Sequence, residues 1–226
     1  MHAKRCLDAI DKMIADRHLL KHPFYQAWTA GELPLPALQD YARQYYRQVD
    51  AFPRYLGGVY SKTKDAAARR LVLRNILEED SGPENHPELW LRFAEGLGVS
   101  RDDVQSAQAF DETERTVATF ERLCLRNGPE CGMAALYAYE AMVPEVAEAK
   151  IDGLKKFYDI DDTRTLQFFA VHEEADREHR EWDKQILASL VRDEQTEKNA
   201  IEATEAGLAA LWQILDGVAQ RHNICA

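Results

Sequence analysis

Two histidines and an aspartate in the run His172-Glu173-Glu174-Ala175-Asp176-Arg177-Glu178-His179 carry the most specific chemical signal in the chain. An α-helix turns each residue by about 100°, so positions 172, 176 and 179 share one stripe and aim two imidazoles and a carboxylate the same way. That is half of a metal site. Glu79 and His86, seven residues apart, and Glu140, within Tyr137-Ala138-Tyr139-Glu140, are candidates for the other half. Three carboxylates and three histidines on separate helices suit a pair of iron or manganese ions, which accept mixed nitrogen and oxygen ligands.

A His–Asp–His pattern alone is more often a solvated helix face, and the flanks decide against that here. Phe168, Phe169 and Val171 precede the motif, and Trp182, Ile186 and Leu190 follow it. The apolar stripe 168, 171, 175, 182, 186 runs beside the 172/176/179 stripe, which therefore lies near the buried side, where unpaired polar groups are costly. Metal would satisfy them. Glu140 sits in Met133–Val143, a stretch apolar nearly all round, and a carboxylate there needs a cation. Glu79 precedes the break Ser81-Gly82-Pro83, so it and His86 would meet across a turn. His86 stands before Pro87 and reads equally well as an N-terminal cap. Glu145, Glu148, Glu173, Glu174 and Glu178 read as surface charges. Lys150 lies 11 residues after Tyr139, so on one continuous helix the two share a face. A solvent-facing partnership with Glu145 or Glu148 is the simpler role for Lys150. Tyr25, in His-Pro-Phe-Tyr-Gln-Ala-Trp, reads first as core packing.

The elements that must position these groups are helices throughout, and the fold class is all-α. Periodicity and caps predict helices at about 3–20, 23–31, 36–62, 65–80, 86–96, 100–105, 111–127, 130–157, 162–191 and 194–222, with Pro53 and Gly57-Gly58 bending the third. At 226 residues, with short loops and no repeat, residues 1–226 are expected to form one domain. A net charge of −11 argues against a nucleic-acid partner. No run of about 18 apolar residues predicts a membrane span, and the opening Met1-His2-Ala3-Lys4-Arg5 does not read as a secretion signal. Cys6, Cys124, Cys131 and Cys225 have no paired spacing, so reduced thiols in the cytoplasm are expected.

In order along the chain stand H-P-F-Y-x-x-W, L-x-D-Y-A-x-Q-Y-Y, N-I-L-E-E-D followed by H-P, Y-x-Y-E-x-M-V-P-E-V-A-x-x-K and F-F-x-V-H-x-x-x-D-x-x-H. Over about residues 18–190 this resembles the haem-oxygenase-like superfamily, in the branch of the chlamydial protein that associates with death domains, near the pyrroloquinoline-quinone synthase C and TenA groups. The resemblance implies a bundle of seven or eight helices, usually dimeric, with the active site inside it. It assigns Glu79, His86, Glu140, His172, Asp176 and His179 as ligands of a dinuclear site holding two irons or one iron and one manganese. It also implies use of dioxygen and an external reductant of unknown identity. The resemblance further implies supply of para-aminobenzoate for folate synthesis, with the protein's own side chains as the source. The matching positions are Tyr25 for the ring and Lys150 for the amino nitrogen, with Tyr139 a further aromatic near the metals. Phe168 stands where some relatives carry a tyrosine, which puts a radical relay at that position in doubt.

Rival readings separate on particular residues. A haem-oxygenase-like oxidase acting on an external fatty acid or amino acid would use Tyr25 only as a pocket wall. Metal-free quinone-cofactor synthesis would place basic residues where this chain has three carboxylates. Thiamin degradation needs a cysteine near the Tyr-Glu motif, and Cys131 lies nine residues before Glu140. A non-enzymatic bundle binding a protein partner would function without metal.

Overall fold

Side-chain caps set the start of four of the longer helices. Asp65 accepts a hydrogen bond from the Ala68 amide, Asn85 from Glu88 and Asp162 from Thr165, while Asp193 and Thr196 cap each other reciprocally. Each such cap contributes about 1 kcal/mol. The computed structural model describes residues 1–224, less the side chains of 173–177; Asp176 as a ligand and the Cys225 thiol therefore lie outside the described residues.

Among the described residues there are eleven α-helices and no strand. They are α1 (His2–Asp16), α2 (Pro23–Ala30), α3 (Leu35–Lys62), α4 (Ala66–Asp80), α5 (His86–Gly96), α6 (Arg101–Ser106), α7 (Asp111–Glu121), α8 (Pro129–Glu140), α9 (Val143–Phe157), α10 (Thr163–Leu190) and α11 (Glu194–Arg221). A 3-10 turn at Leu19–Lys21 follows α1, and a π-helical turn at Arg122–Arg126 follows α7. Helix α11 packs along α8 and α7, α10 along α9 and α5, and α3 along α4, α5 and α8. The buried apolar side chains join into one cluster through these helices.

Two expectations about elements are corrected. The helix expected over 130–157 is two helices, broken at Ala141–Met142, because Pro144 has no amide hydrogen to continue the ladder and is tolerated only in a first turn. Tyr139 and Lys150 therefore do not share a face of one continuous helix. The first helix ends at Asp16 rather than near residue 20. Helix α3, by contrast, remains helical across Pro53.

One close approach has functional weight. A Cβ on Gly153 of α9 would stand 2.4 Å from Cδ1 of Trp28 on α2, far inside contact distance. The Trp28 indole N–H also donates to the Lys150 carbonyl at 3.4 Å. Gly153 follows Lys150 by about one turn and Trp28 follows Tyr25 by about one turn. This glycine thus sets how near the Lys150 amine comes to the Tyr25 ring.

Candidate metal centre

Four helices converge on the expected ligands. Glu79 comes from the last turn of α4, His86 opens α5, Glu140 closes α8, and His172 and His179 project from α10 two turns apart. All five are buried, His179 completely. Nitrogen and oxygen atoms of Glu79, His86 and His172 lie within 4.8 Å of one another, as do those of Glu79, Glu140 and His179. Glu79 belongs to both groups. A carboxylate common to two neighbouring ligand sets is suited to bridging two ions, and each set offers the mixed nitrogen and oxygen donors that iron and manganese accept.

The hydrogen bonds around these groups suit ligation. His172 donates from Nδ1 to the Phe168 carbonyl at 2.6 Å, which leaves the Nε2 lone pair for a metal. Burial, reinforced by the neighbouring His86, holds its pKa well below the ordinary histidine value, so the ring is in the neutral, ligating form. The His179 Nε2 lies 2.7 Å from Glu78 Oε2. With the proton on that nitrogen, Nδ1 faces Glu140, 3.3 Å away. The Asn75 amide donates to Glu140 Oε1 at 3.0 Å. Burial alone would raise the Glu140 pKa, but His179, Asp183 and Asn75 together hold it below the ordinary carboxylate value. The carboxylate stays charged without solvent. His86 Nδ1 meets Glu79 Oε2 at 2.5 Å. The capping role considered for His86 belongs to Asn85, whose side chain holds the Glu88 amide, so His86 is turned inward.

Two small cavities adjoin the ligands. One, about 20 Å³, is lined by Glu79, Tyr139, Glu140, Phe168 and His172, among others. The second, also about 20 Å³, shares Tyr139, Val143, Phe168 and His172 with the first and reaches Lys150. Each holds little more than a water-sized molecule.

Lys150 overturns its simpler reading as a surface partner of Glu145 or Glu148. It is 5% exposed, and its ammonium group lies 5.0–5.8 Å from the ring centres of Tyr25, Tyr41, Tyr45, Trp90 and Phe169. Its Nζ donates to the Tyr41 hydroxyl at 2.8 Å, and that hydroxyl is 3.1 Å from the Tyr25 hydroxyl. Burial lowers its pKa to about 7. Tyr139 joins the same neighbourhood by accepting from the Tyr45 hydroxyl at 2.7 Å. Sequence reasoning missed Tyr41, Asn75, Glu78 and Asp183. Asn75 and Asp183 carry a usable signal, each standing one helical turn from a candidate ligand, Glu79 and His179 respectively.

A family profile described as "Iron-containing redox enzyme" matches residues 39–212, a span that contains all the candidate ligands. The chain belongs to this family. Its relatives include a 4-aminobenzoate synthase from Nitrosomonas europaea, 40% identical over 96% of this chain and 91% of the relative. Another 4-aminobenzoate synthase, from Chlamydia muridarum, is 36% identical over 97% of this chain and 92% of its own length. Among solved structures, a TenA homologue from Pseudomonas syringae superposes with a TM-score of 0.84 at 18% identity, covering 97% of this chain and 93% of the homologue. The haem-oxygenase-like, TenA-like helical fold expected from the motifs is therefore the fold of this family member, and the chlamydial branch is among its relatives. No helix of the described residues is long and apolar enough to cross a membrane.

Proposed function

We propose that this family member is a dinuclear, dioxygen-dependent oxidoreductase that makes 4-aminobenzoate from its own Tyr25 and Lys150. The ligands are Glu79, His86, Glu140, His172 and His179, with Asp176 as the sixth on sequence grounds. When bound, two irons or an iron and a manganese supply the oxidising power, drawing on dioxygen and an external electron donor. The synthase names of relatives similar over nearly the whole chain support the product.

The observation that carries the reading is the placement of Lys150. Its amine lies 5.5 Å from the Tyr25 ring centre and, with a pKa near 7, is substantially unprotonated at neutral pH, as a nitrogen nucleophile must be. A tyrosine side chain and 4-aminobenzoate share one carbon skeleton. Breaking the Tyr25 Cα–Cβ bond frees the ring with Cβ, and oxidation by dioxygen makes Cβ the carboxyl carbon. The Lys150 nitrogen condenses at the oxidised phenol carbon, whose oxygen leaves as water, and hydrolysis of the resulting imine breaks the Lys150 Cε–Nζ bond and leaves an aldehyde on the lysine side chain. Tyr41, hydrogen-bonded to both the Tyr25 hydroxyl and Lys150 Nζ, is placed to pass the proton between them. The apolar walls Val143, Val146, Phe168 and Phe169 keep bulk water from the reacting groups. Cavities of about 20 Å³ give no room to an external fatty acid or amino acid, whose sites typically run to roughly 300 Å³ or more.

The test is peptide mass mapping across Tyr25 and Lys150 in the iron- and manganese-loaded protein before and after dioxygen and reductant, with released product assayed in the same tube. Loss of the Tyr25 ring matched by product is expected. Oxygen consumption with both peptides unaltered would transfer the reaction to an external substrate.

Glu79 provides a second check. Its replacement in Glu79→Gln removes the one charge common to both ligand sets, so both metals should weaken together, each by at least about tenfold in affinity. Metal analysis after dialysis reads this. Loss of one metal with full retention of the other would show that Glu79 does not bridge.

A further inference from the structure

The proposed reaction consumes electrons, yet the ligands are buried, and the aromatic side chains beyond His172 lead inward. Phe168 lies 4.2 Å from the His172 ring and 4.8 Å from Trp90, and Phe168, Phe169, Trp90 and Tyr45 are all buried. An electron routed through them would pass beside the very groups that are to be oxidised. On the His179 side the arrangement differs. The Trp182 indole lies 5.1 Å from the His179 imidazole, tilted by 38°. Trp182 is only half-buried, so it spans from a completely buried ligand to the surface.

We propose that Trp182 is the electron port of this protein, the side chain through which a one-electron donor at the surface reaches the metal ions held by His179 and its neighbours. The inference rests on the dinuclear reading above. In each transfer the donor loses one electron and one ferric ion becomes ferrous; no atom is exchanged, and a pair of ferric ions takes two donors.

The surroundings of Trp182 are built for passage inward without damage. Arg74 lays its guanidinium over the indole, 4.2 Å from the ring centre. It is held there by Glu78 at 3.3 Å and Glu178 at 3.5 Å. Glu78 in turn contacts His179, so arginine, carboxylate, imidazole and indole close a ring around the port. A cation against the π-face favours electron density on the indole and opposes positive charge there. Arg74 therefore leaves the indole able to conduct electrons to the centre while making it a poor electron source once the centre has become oxidising. The same contact protects Trp182 from being consumed in place of Tyr25.

The experiment uses ferric-loaded protein mixed anaerobically with reduced methyl viologen, a coloured one-electron donor. Loss of its colour and of the ferric absorbance is followed together. Trp182→Phe keeps an aromatic ring against His179 and should stay near the wild-type rate. Trp182→Leu and Trp182→Met remove it and should each slow reduction by roughly an order of magnitude at unchanged iron content, the methionine variant serving if the leucine variant does not fold. Wild-type rates in the aliphatic variants would overturn the port. A wild-type protein that binds no iron would instead sink the dinuclear reading, which metal analysis reports separately. After aerobic cycling, Arg74→Gln should accumulate oxygen on the Trp182 peptide while the wild type does not. An unmodified indole in that variant would remove the protective role of Arg74.

Discussion

Tyr25→Phe should abolish 4-aminobenzoate formation and leave metal binding intact. Phenylalanine fills the same space, and Tyr25 is 1% exposed among Phe24, Trp28 and Tyr41, so the packing survives. The stability cost is that of one buried hydrogen bond to the Tyr41 hydroxyl, about 1 kcal/mol. No expected ligand lies on α2, so the metal content should match the wild type. The chemistry loses everything the phenol contributes: an electron-rich ring that is easily oxidised, and the oxygen that nitrogen must displace. Product at wild-type yield from this variant, with equal metal content, would remove Tyr25 from the reaction and make it a pocket wall.

Replacement of Lys150 by methionine has an equally large effect on product and an opposite one on stability. Without the amine there is no nitrogen to transfer. Growth on nitrogen-labelled lysine tests the same point without mutation, since the label should appear in the product of the wild type. The stability argument follows from burial, which lowers the amine pKa from 10.5 to about 7. Below about pH 7 the amine is charged in both folded and unfolded chains, and the folded protein bears the full cost of burying that charge. Between pH 7 and 10.5 the unfolded chain holds a proton that the folded chain does not, so stability rises with pH. Above 10.5 the cost is gone. Methionine avoids it at every pH and should stabilise the fold by on the order of 3–5 kcal/mol at pH 6, a gain that shrinks towards pH 10. Thermal melts of the two proteins across this range read the difference directly. A variant that melts lower than wild type at pH 6 would mean that Lys150 is held by a stabilising interaction. In the wild type, single-turnover product formation should rise as pH is raised through about 7, as the amine loses its proton.

The burial of His172 and His179 on one stripe of α10 was legible because helical geometry alone fixes which residues share a face, and the apolar flanks show which face is inside. Glu140 was legible for a related reason: a lone carboxylate in Met133–Val143 has few alternatives to a cation. Lys150 was not. Its sequence neighbours Glu145 and Glu148 offer ordinary surface pairing, and its burial depends on the contact of Gly153 with Trp28, a residue more than a hundred positions away. The break at Ala141–Met142 was obscured by uninterrupted helix-forming residues on both sides of Pro144. Tyr41, Glu78 and the others around the site escaped notice because each acquires its role from a partner on another helix. Tyrosine and glutamate are too common for their identity alone to announce that role.

If Tyr25 supplies the ring, as proposed, the depth at which it is buried bears on how long the spent chain survives. Releasing the ring removes a large aromatic group from between Phe24, Trp28 and Tyr41, a change comparable to truncating a core aromatic, which typically costs 3–5 kcal/mol. For a chain of this size that lowers the melting temperature by roughly 10 °C. The spent molecule therefore opens more often than the fresh one and presents its backbone to proteases more readily. Burial of the substrate within α2 would thus give a cell a built-in means of clearing used copies while sparing those that have yet to react.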